Sequence, residues 1–490
     1  MLIYGILRKG DLSMIDFKKI YFGCADANTE AERNPATFNK VFFDPYGHLE
    51  ELISGDKFIL RGRKGDGKTA YSAQLSLVGS KHGVYVHQRS LDNFNNTVFS
   101  KIKTYDNLGG NPYISFWRCI LLIECVGMIY KYEPNIQTTG FVNIVDALSR
   151  YGFLATDNDI SVTVSKLVEA NSVLSLKDIF QHSRKYSRET ELRGADQIYT
   201  AIYNSIKNIY LTKRFILIID GLDDILNSTE FKAEIITGLI RAAEEINRVF
   251  KHTTLSIKTI ILIRDDILNL CRDPNQSKIV RDSGIHLSWT IQDNPYESDL
   301  IKLVEKRVDD VTGEEGSFMR MWTSVFPEHI YTKNTLDYVL DNIIYRPRDI
   351  LQFFLEVQKE FIPNNQLTIE KIQTALARYS DEYFVDAMRD ELTGFFPNDA
   401  VTLLPDILTQ MGTRYFYLSE FEKICQHYPE FDNVSSRLIL EKLFDAGYIG
   451  QHRPREGLDY TVFSYRNPRE KFVPNHECIV HRGLTRALTI

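Results

Sequence analysis

One octapeptide constrains the fold of this chain more than any other feature of its sequence. Residues 62–69 read Gly-Arg-Lys-Gly-Asp-Gly-Lys-Thr and fit the pattern G-x-x-x-x-G-K-[ST] in full. The residue pattern predicts a short apolar strand at Lys57–Arg61, before the motif, and a helix at Ala70–Val78, after it. In this strand–turn–helix order such a turn binds the phosphates of a nucleotide, whereas the alternative is a glycine-rich surface turn. The motif therefore predicts an α/β domain with a parallel sheet.

The spacing of the motif follows from the chemistry of a phosphate chain, whose anionic oxygens need many donors at close range. Successive backbone N–H groups form an anion-binding nest, and glycines allow the dihedral angles and close approach that a nest requires. We expect Lys68 to reach the β- and γ-phosphates and the hydroxyl of Thr69 to ligate Mg²⁺. The predicted nucleotide-binding residues are Gly62, Arg63, Lys64, Gly65, Asp66, Gly67, Lys68, Thr69 and Ala70.

Short apolar runs alternate with helical patterns from about Tyr21 to Trp289. Continuous apolar runs of strand length are typical of strands that are buried on both faces of a parallel sheet. Further strands are predicted at Gly83–Gln88, Arg214–Ile219, Lys258–Ile263 and His286–Trp289, and further helices at Ile198–Tyr210 and Glu230–Phe250. Strand and helix in alternation indicate a mostly parallel α/β core.

A phosphate nest also needs a metal ligand from a neighbouring strand, and the segment Phe215–Asp220 supplies one. Asp220 ends this apolar run, at the end of a strand where ligands collect in open parallel sheets. We expect Asp220 to hold Mg²⁺ through water. Asp223 and Asp224 follow, and either carboxylate is placed to orient the attacking water in phosphoryl transfer. For all three the alternative is an acidic helix N-terminus, which the helix dipole favours.

Two arginines complete the predicted site. Arg264 ends the apolar run beside the proposed metal strand, where a cation could sense or stabilise the γ-phosphate. The alternative for Arg264 is an ion pair with Asp265 or Asp266. Arg348 follows Pro347, which fits the first turn of a helix, so Arg348 is expected at a helix start from which it could reach the nucleotide. The alternative for Arg348 is a solvated surface charge.

After Trp289 the predicted strands stop. Helices are expected at Tyr296–Val311, Leu336–Ile344, Pro347–Phe361 and Ile369–Tyr379. A mainly helical segment that starts near Pro397 leads to a β-hairpin around residues 448–464, and a helix followed by a hairpin is the outline of a winged helix. The predicted organisation is an N-terminal lead-in at 1–55, a P-loop NTPase core at 56–292, a helical lid at 293–396 and a winged-helix-like domain at 397–490.

These motifs together resemble the P-loop ATPases of the AAA+-related and STAND-like group. The sequence is most similar to a bacterial set with F-G, here Phe22-Gly23, followed by G-R-K-G-x-G-K-T-A, here Gly62–Ala70. Asp220–Asp224 is similar to the D-G-L-D-[DE] signature of STAND proteins, and Arg264 matches the arginine at the end of their sensor strand. Tyr345–Arg348 is similar to the turn that opens their lid helices, and a C-terminal winged helix is usual in this group.

The resemblance implies an ATPase that binds ATP rather than GTP, with Mg²⁺. Two departures from the family pattern imply slow hydrolysis. Asp66 stands where a small or hydroxyl residue is commoner, and it is expected to add negative charge near the phosphates. Gly221 follows Asp220 where typical AAA+ motors have Glu.

Composition limits the remaining possibilities. The 490 residues include 58 Lys and Arg against 65 Asp and Glu, so a net charge of −7 argues against a surface coated for wrapping nucleic acid. Six scattered cysteines without a CxxC pair favour a reducing, cytoplasmic location. The apolar stretch Ile114–Tyr130 contains two charged residues and is interpreted as a buried helix rather than a membrane span. The group His476, Glu477, Cys478 and His481 is interpreted as ordinary hairpin residues, with a zinc site as the alternative.

The start of the chain carries a separate hypothesis. Lys9-Gly10-Asp11 can be encoded by a purine-rich stretch resembling a bacterial ribosome-binding site, a short distance ahead of Met14. Residues 1–13 would then not be native, and the intact mass of natively expressed protein tests this.

Two functions follow from this sequence. The first is a Mg²⁺-dependent ATPase that acts as a nucleotide-driven conformational switch, with a protein partner or self-assembly on ATP binding as its output. In prokaryotic relatives such switches often serve in defence or stress responses. The alternative is an ATP-regulated DNA-binding protein of origin-recognition-like architecture. Residues 401–490 hold eleven basic and eleven acidic residues, a balance that is unfavourable for a domain that binds phosphates, so DNA is the less favoured partner.

Overall fold

The computed structural model describes residues 16–91, 112–154, 195–222, 232–271, 274–290, 294–455 and 458–490, with residues 160, 163, 164 and 167 in addition. The predictions for Asp223, Asp224 and the start at Met14 lie outside the described residues. The chain forms two compact units. We call residues 26–35 and 44–288 the sheet unit, and residues 16–25, 36–43 and 289–490 the helical unit.

The predicted domain boundaries differ from this division in two places. The predicted end of the core at residue 292 lies close to the observed change of unit after Ser288. The predicted lead-in 1–55 is shared between both units. The predicted border between residues 396 and 397 does not separate two units, because one hydrophobic core runs through the helical unit on both sides of it.

A five-stranded parallel sheet forms the centre of the sheet unit. Its strands are β1 (Ile59–Gly62), β2 (Val84–Ser90), β3 (Arg214–Asp220), β4 (Ile257–Arg264) and β5 (Gly284–His286). They lie in the order β2-β3-β4-β1-β5, and every pair is parallel. The carboxyl ends of all five strands therefore meet at one edge. The predicted α/β fold with a parallel-sheet P-loop core followed by a helical region is confirmed.

The last strand differs from its prediction, which placed it at His286–Trp289. The structure begins β5 at Gly284 and ends it at His286, opposite Arg61. The reason is that β1 turns into the phosphate loop after Gly62, so the ladder has no further partner beyond this point.

Helices surround the sheet, and most begin where the sequence changes to helical spacing. Up to residue 283 they are α1 (Ala27–Arg33), α2 (Pro35–Val41), α3 (His48–Ser54), α4 (Lys68–Val78), α5 (Pro112–Tyr132), α6 (Thr139–Arg150), α7 (Ala195–Ile206), α8 (Lys232–Phe250), α9 (Asp265–Leu268) and α10 (Pro274–Ser283). A 3₁₀ turn covers Gly79–His82. Of these helices, α2 lies mainly in the helical unit and the others in the sheet unit.

Helix α5 is the apolar stretch that sequence analysis interprets as a buried helix. Within the described residues it is the one helix long and apolar enough to cross a membrane, and 72% of its apolar window is buried inside the protein. The two charged residues of the stretch Ile114–Tyr130 are paired, since Arg118 binds Glu245 at 2.8 Å and Glu124 binds Arg89 at 2.6 Å. The indole of Trp117 also donates to the carbonyl of Ile235 at 3.0 Å, which ties α5 to α8.

The helical unit is built from short helices around an aromatic core. Its helices are α11 (Asp299–Thr312), α12 (Phe318–Val325), α13 (Thr335–Leu340), α14 (Pro347–Glu360), α15 (Ile369–Arg378), α16 (Val385–Leu392), α17 (Asn398–Gln410), α18 (Leu418–Cys425), α19 (Ser436–Ala446) and α20 (Arg482–Thr485), with 3₁₀ turns at Phe17–Lys19, Pro295–Glu297 and Pro429–Phe431. Phe17 and Phe22 lie in its core against α14, and Phe22 stacks on Phe354 with ring centroids 4.8 Å apart.

The predicted hairpin is present after α19. The small strands of the helical unit are β6 (His329–Ile330), β7 (Lys333–Asn334), β8 (Tyr415–Phe416), β9 (Ile449–Arg455), β10 (Leu458–Val462) and β11 (Cys478–Val480). The last four form an antiparallel sheet in the order β10-β9-β11-β8. Gly447 ends α19 with a φ of 90°, a conformation that glycine adopts at little cost, and thereby turns the chain into β9.

One helical segment departs from α-helical geometry. Between α15 and α16 the chain forms a π-helix at Tyr379–Phe384, a rare form that often marks functional or strained positions. Its Ser380 hydroxyl donates to the carbonyl of Gly483 at 2.5 Å. A Cβ atom at Gly483 would lie 2.5 Å from the carbonyl oxygen of Asn342, so only glycine fits there. The C-terminal segment is therefore docked tightly on this π-helix.

Candidate functional site

The phosphate-binding motif forms a compact loop between β1 and α4, as its sequence predicts. The strand ends at Gly62 and the helix begins at Lys68. Gly65 and Gly67 have φ angles of 87° and 101°, which side chains of L-residues rarely allow. Because the first N–H groups of a helix have no acceptor within it, the start of α4 adds donors to those of the loop. The geometry fits an anionic phosphate group.

The side chain of Asp66 is buried within the loop. It is 1% exposed, and its Oδ2 accepts from the backbone N–H of Arg63 at 2.7 Å. The guanidinium of Arg63 lies 3.5 Å from the same oxygen. These contacts close the loop, and the expectation that Asp66 adds negative charge near the phosphates stays a prediction.

Lys68 and Thr69 begin α4, and their roles toward phosphate and Mg²⁺ stay predictions. Lys68 Nζ donates to the carbonyls of Gly62 and Arg63, at 3.1 and 2.9 Å, and so lies across the loop. Thr69 is half-buried one position later in the helix. Among the described residues its hydroxyl makes no hydrogen bond, so its oxygen is available to a metal ion. Ala70 follows in the first turn, where it is half-buried too.

Asp220 lies at the predicted place, at the carboxyl end of β3. Its Oδ1 accepts from the N–H of Gly221 at 2.8 Å, and its backbone is paired with Ser90 of β2. Gly221 has a φ of 75°, so the chain turns sharply after the aspartate. The sheet order puts β4 between β3 and β1, and hence between Asp220 and the phosphate loop.

Arg264 ends this intervening strand and stands beside the first glycine of the loop. Its backbone is in register with Gly62 on the neighbouring strand. The side chain is buried and binds Asp266 through two bonds, from Nε to Oδ1 at 2.9 Å and from Nη2 to Oδ2 at 2.6 Å. Arg264 is therefore ion-paired with Asp266, one of its two expected partners, and its role toward a γ-phosphate stays a prediction.

A second polar group at this edge was not foreseen from the sequence. Asp265 accepts from Arg61 at 2.6 Å and lies 3.0 Å from Nε2 of His286, so its carboxylate ties β1 and β5 to the end of β4. Burial would raise its pKa, but the bonds to His286 and Arg61 outweigh burial and hold the pKa of Asp265 below its ordinary value. The only signal in the sequence for this group was that Arg61, Asp265 and His286 all lie at strand ends.

Arg348 lies in the helical unit at the second position of α14 and is half-buried. Among the described residues it forms no ion pair, in contrast to its neighbour Arg346. Arg346 is 3% exposed and bonds to Asp349, Glu391 and the hydroxyl of Tyr448. The contribution of Arg348 to a nucleotide site stays a prediction.

The histidine- and cysteine-containing segment near the C-terminus follows the ordinary interpretation. Within the described residues no group of three or more His, Cys, Asp or Glu side chains could hold a metal ion. His481 accepts from the N–H of Gly483 at 3.0 Å and contacts the hydroxyl of Tyr465 at 3.0 Å. Cys478 is buried in β11. These contacts are structural.

Comparison with known proteins gives one family match and distant relatives. Residues 298–388 match the model of the FunZ-associated C-terminal helical domain, FunZ_C. A protein of Escherichia coli (strain K12), provisionally named transposon gamma-delta 80.3 kDa protein, is 22% identical over 93% of this chain. The chain spans 65% of the length of that relative. Among solved structures, Cdc6p from Pyrobaculum aerophilum is similar over 93% of this chain and 98% of its own, with 12% identity and a TM-score of 0.27.

Proposed function

We propose that this chain is a Mg²⁺-dependent ATP-binding protein that hydrolyses ATP slowly and uses its nucleotide state as a conformational switch. The observation that carries the proposal is the closed glycine loop between β1 and α4, which opens at the edge of the sheet where Asp220 also lies. Such an edge is where nucleotides bind in open α/β sheets.

The residues present fit the phosphates and the metal ion. Backbone N–H groups of residues 64–69 would donate to the phosphate chain, and the ammonium of Lys68 would exchange its two carbonyl acceptors for phosphate oxygens. Thr69 and Asp220 would hold Mg²⁺, which neutralises phosphate charge when bound. Preference for ATP is taken from the family resemblance.

Slow hydrolysis is supported by how the charged groups at this edge are engaged. Gly221 leaves no carboxylate directly after Asp220 to orient water, so Asp223 and Asp224 are the proposed water-positioning residues. The guanidinium of Arg264 is bound to Asp266 and would have to leave it, at least in part, to stabilise charge on a γ-phosphate.

The output of the switch would come from the helical unit. We propose that residues 293–396, with Arg348 at the start of α14, act as the lid and that residues 397–490 are a winged-helix-like part of the same unit. ATP would bias the position of this unit by differential binding, which is the only way a ligand shifts a conformational equilibrium. Engagement of a protein partner or self-assembly would follow, in prokaryotic defence or a stress response.

Isothermal titration with Mg·ATP tests the site directly. Lys68→Ala should lose most of the affinity, because the ammonium that faces the β- and γ-phosphates is removed while the fold is kept. The control is Lys81→Ala, an exposed lysine of the same unit just after α4. Wild-type affinity in the Lys68 variant would reject the assignment.

The switch is tested separately by size-exclusion chromatography with light scattering. Apo, ADP-bound and non-hydrolysable-ATP-bound protein should differ in mass or hydrodynamic radius if the nucleotide drives a change. Identical profiles in all three states, combined with measured ATP binding, would leave a nucleotide-binding protein and refute the switch.

An ATP-regulated DNA-binding protein remains the second candidate. The hairpin after α19 and a relative that is named for a transposon favour it. The hairpin itself is poorly suited to binding DNA, because Arg453 is only 9% exposed and donates inward to the carbonyl of Lys471. Helix α19, which stands where a recognition helix would, is also poorly suited to contacting DNA, since its Leu440 and Leu443 are buried in the core.

A further inference from the structure

Four cations from separate segments of the helical unit meet around one carboxylate. Asp341, directly after α13, accepts from Lys333 at 2.5 Å, from Arg482 at 3.1 Å and from Arg466 at 3.2 Å. Arg414 belongs to the same group, because its Nε donates to the carbonyl of Val480, two residues before Arg482, at 2.7 Å. We call Lys333, Arg414, Arg466 and Arg482 the cation cluster.

The cation cluster has an excess of positive charge in a chain that is acidic as a whole. Three cations bind the carboxylate of Asp341, whereas the chain has a net charge of −7. The side chains of Lys333, Arg466 and Arg482 are 39%, 37% and 46% exposed. One carboxylate cannot neutralise three cations, so Asp341 and its partners present net positive charge to solvent.

Buried groups next to the cation cluster respond to this excess. The pKa of the buried His481 is lowered well below its ordinary value, by burial and by the charges of four arginines that include Arg466, Arg414 and Arg482. The pKa of Arg414 is lowered as well, by burial and then by Arg482. Burial is the larger cause of both shifts, and the neighbouring arginines act in the same direction.

Exposed aromatic rings accompany two of the cations. Tyr331, two residues before Lys333, is 72% exposed, and Tyr415, next to Arg414, is 47% exposed. The guanidinium carbon of Arg414 lies 5.9 Å from the centroid of the Tyr415 ring. Cations interleaved with exposed rings are the combination that holds a nucleic-acid strand, since phosphates pair with the cations and bases or sugars stack on the rings.

We propose that the cation cluster, with Tyr331 and Tyr415, binds the phosphate backbone of a nucleic acid without reading its base sequence. Arginine is suited to this ligand, because its planar fork binds two phosphate oxygens at once. None of the four cations lies in β9 or β10, the two strands of the hairpin. It does not depend on ATP binding, so the two proposals can fail independently.

Fluorescence anisotropy on the full chain tests this proposal, with two unrelated labelled duplexes and a labelled single strand as probes. Arg482→Gln removes an exposed cation that is ion-paired with Asp341, and the control Arg437→Gln removes an exposed arginine of α19 in the same unit. Wild-type protein should bind both duplexes equally, and affinity should fall steeply from about 50 to about 200 mM salt. Arg482→Gln should lower the affinity several-fold and reduce the salt slope by about 0.9, and the control should do neither.

A second variant reverses the sign of the expected effect. Asp341→Asn removes the negative charge from the cluster and should tighten binding, provided that its thermal unfolding confirms a folded protein. Wild-type affinity in Arg482→Gln, or no binding by wild-type protein at about 50 mM salt, would overturn the proposal. So would equal competition by polyglutamate, which would assign the surface to an acidic protein. A preference between the two duplexes would equally contradict binding without base readout.

Discussion

Two buried arginines, one in each unit, occupy the N-cap of a helix and bind an aspartate from that helix through two bonds. Arg264 binds Asp266 at the start of α9, and Arg346 binds Asp349 at the start of α14. The surroundings differ. Asp266 is 27% exposed, whereas the side chain of Asp349 is fully buried. Water can therefore reach the carboxylate of the first pair and cannot reach that of the second, although the two guanidinium groups are about equally buried.

The second arginine is also held by more of the protein. Arg346 bonds to Glu391 of α16 at 3.0 Å and to the hydroxyl of Tyr448 at 3.1 Å, and Tyr383 donates to Asp349 at 2.7 Å. These contacts join the start of α14 to the segment that leads into β9. The same local motif is fully buried in the helical unit, where we call it the fixed joint, and has a partly exposed carboxylate in the sheet unit, where we call it the releasable contact.

The largest expected effect is on the fixed joint. Arg346→Met should lower the free energy of unfolding by about 3–5 kcal/mol, because Asp349 and Glu391 lose their cation in a buried site. Urea denaturation followed by circular dichroism measures this. If Arg346→Met does not fold, Arg346→Lys keeps the charge but loses the two-bond geometry and should be destabilised less. A loss below about 1 kcal/mol for Arg346→Met would show that the joint is not fixed.

Lys258, a half-buried cation in the sheet unit, extends the comparison, because backbone carbonyls and not carboxylates bind it. Its Nζ donates to the carbonyls of Leu52 and Gly55 at the end of α3, at 2.6 and 2.8 Å. Burial lowers the pKa of Lys258 to about 8. Between pH 8 and 10.5 the unfolded chain binds more protons than the folded one, so this lysine should make stability rise with pH by about 2–3 kcal/mol.

The difference between wild-type protein and Lys258→Met isolates that contribution, since other groups titrate in both. Urea denaturation at several pH values from 8 to 10.5 should show the rise in the wild type relative to the variant. If the free energy of unfolding changes with pH equally in the two proteins, the pKa of this lysine is not depressed.

The releasable contact should respond differently from the joint. Arg264→Met should cost only about 1–2 kcal/mol of stability, because the carboxylate of Asp266 can be hydrated, but should reduce ATP hydrolysis by about 100-fold. A coupled ATPase assay and urea denaturation measure the two effects, with Arg281→Met, an exposed arginine of α10, as control. A large loss of stability with unchanged hydrolysis would place Arg264 in the same class as Arg346.

The smallest expected change in stability is that of Asp266→Asn, at less than about 1 kcal/mol, since the amide keeps the shape and one acceptor. Arg264→Met should impair the nucleotide site, whereas Asp266→Asn should favour nucleotide binding. A guanidinium that is no longer neutralised should attract the triphosphate more strongly, so Mg·ATP should bind several-fold more tightly in isothermal titration. Unchanged affinity and unchanged hydrolysis would mean that the pair does not open for the nucleotide.

Local patterns in the sequence predict the elements around the phosphate loop. The strand before Gly62, the helix that begins at Lys68 and the apolar runs that end at Asp220 and Arg264 are visible in the sequence, because continuous apolar runs and the glycine motif are local signals. Contacts between distant segments were not visible. Nothing in the sequence told whether Arg264 would bind Asp265 or Asp266, since both lie within reach along the chain.

Long-range pairing also explains why the cation cluster is not visible in the sequence. It combines Lys333 and Asp341 with arginines that lie more than seventy residues further along the chain, and a charge count over 401–490 does not detect it. The contacts of Asp66 depend likewise on the loop backbone, in which Gly65 and Gly67 have positive φ angles. Backbone geometry and long-range pairing, and not residue types, decided both.

The aromatic segment at Phe17–Phe22 has a consequence for the order in which this protein is made. Its ring partners Phe354 and Phe361 follow about 340 residues later, after the whole sheet unit has been synthesised. At about 5–20 residues per second, these apolar rings wait on the ribosome for roughly 20–70 s before their partners emerge. During that interval the sheet unit can fold first, and the nascent N-terminal segment is the part of the chain for which a chaperone has the longest time to act.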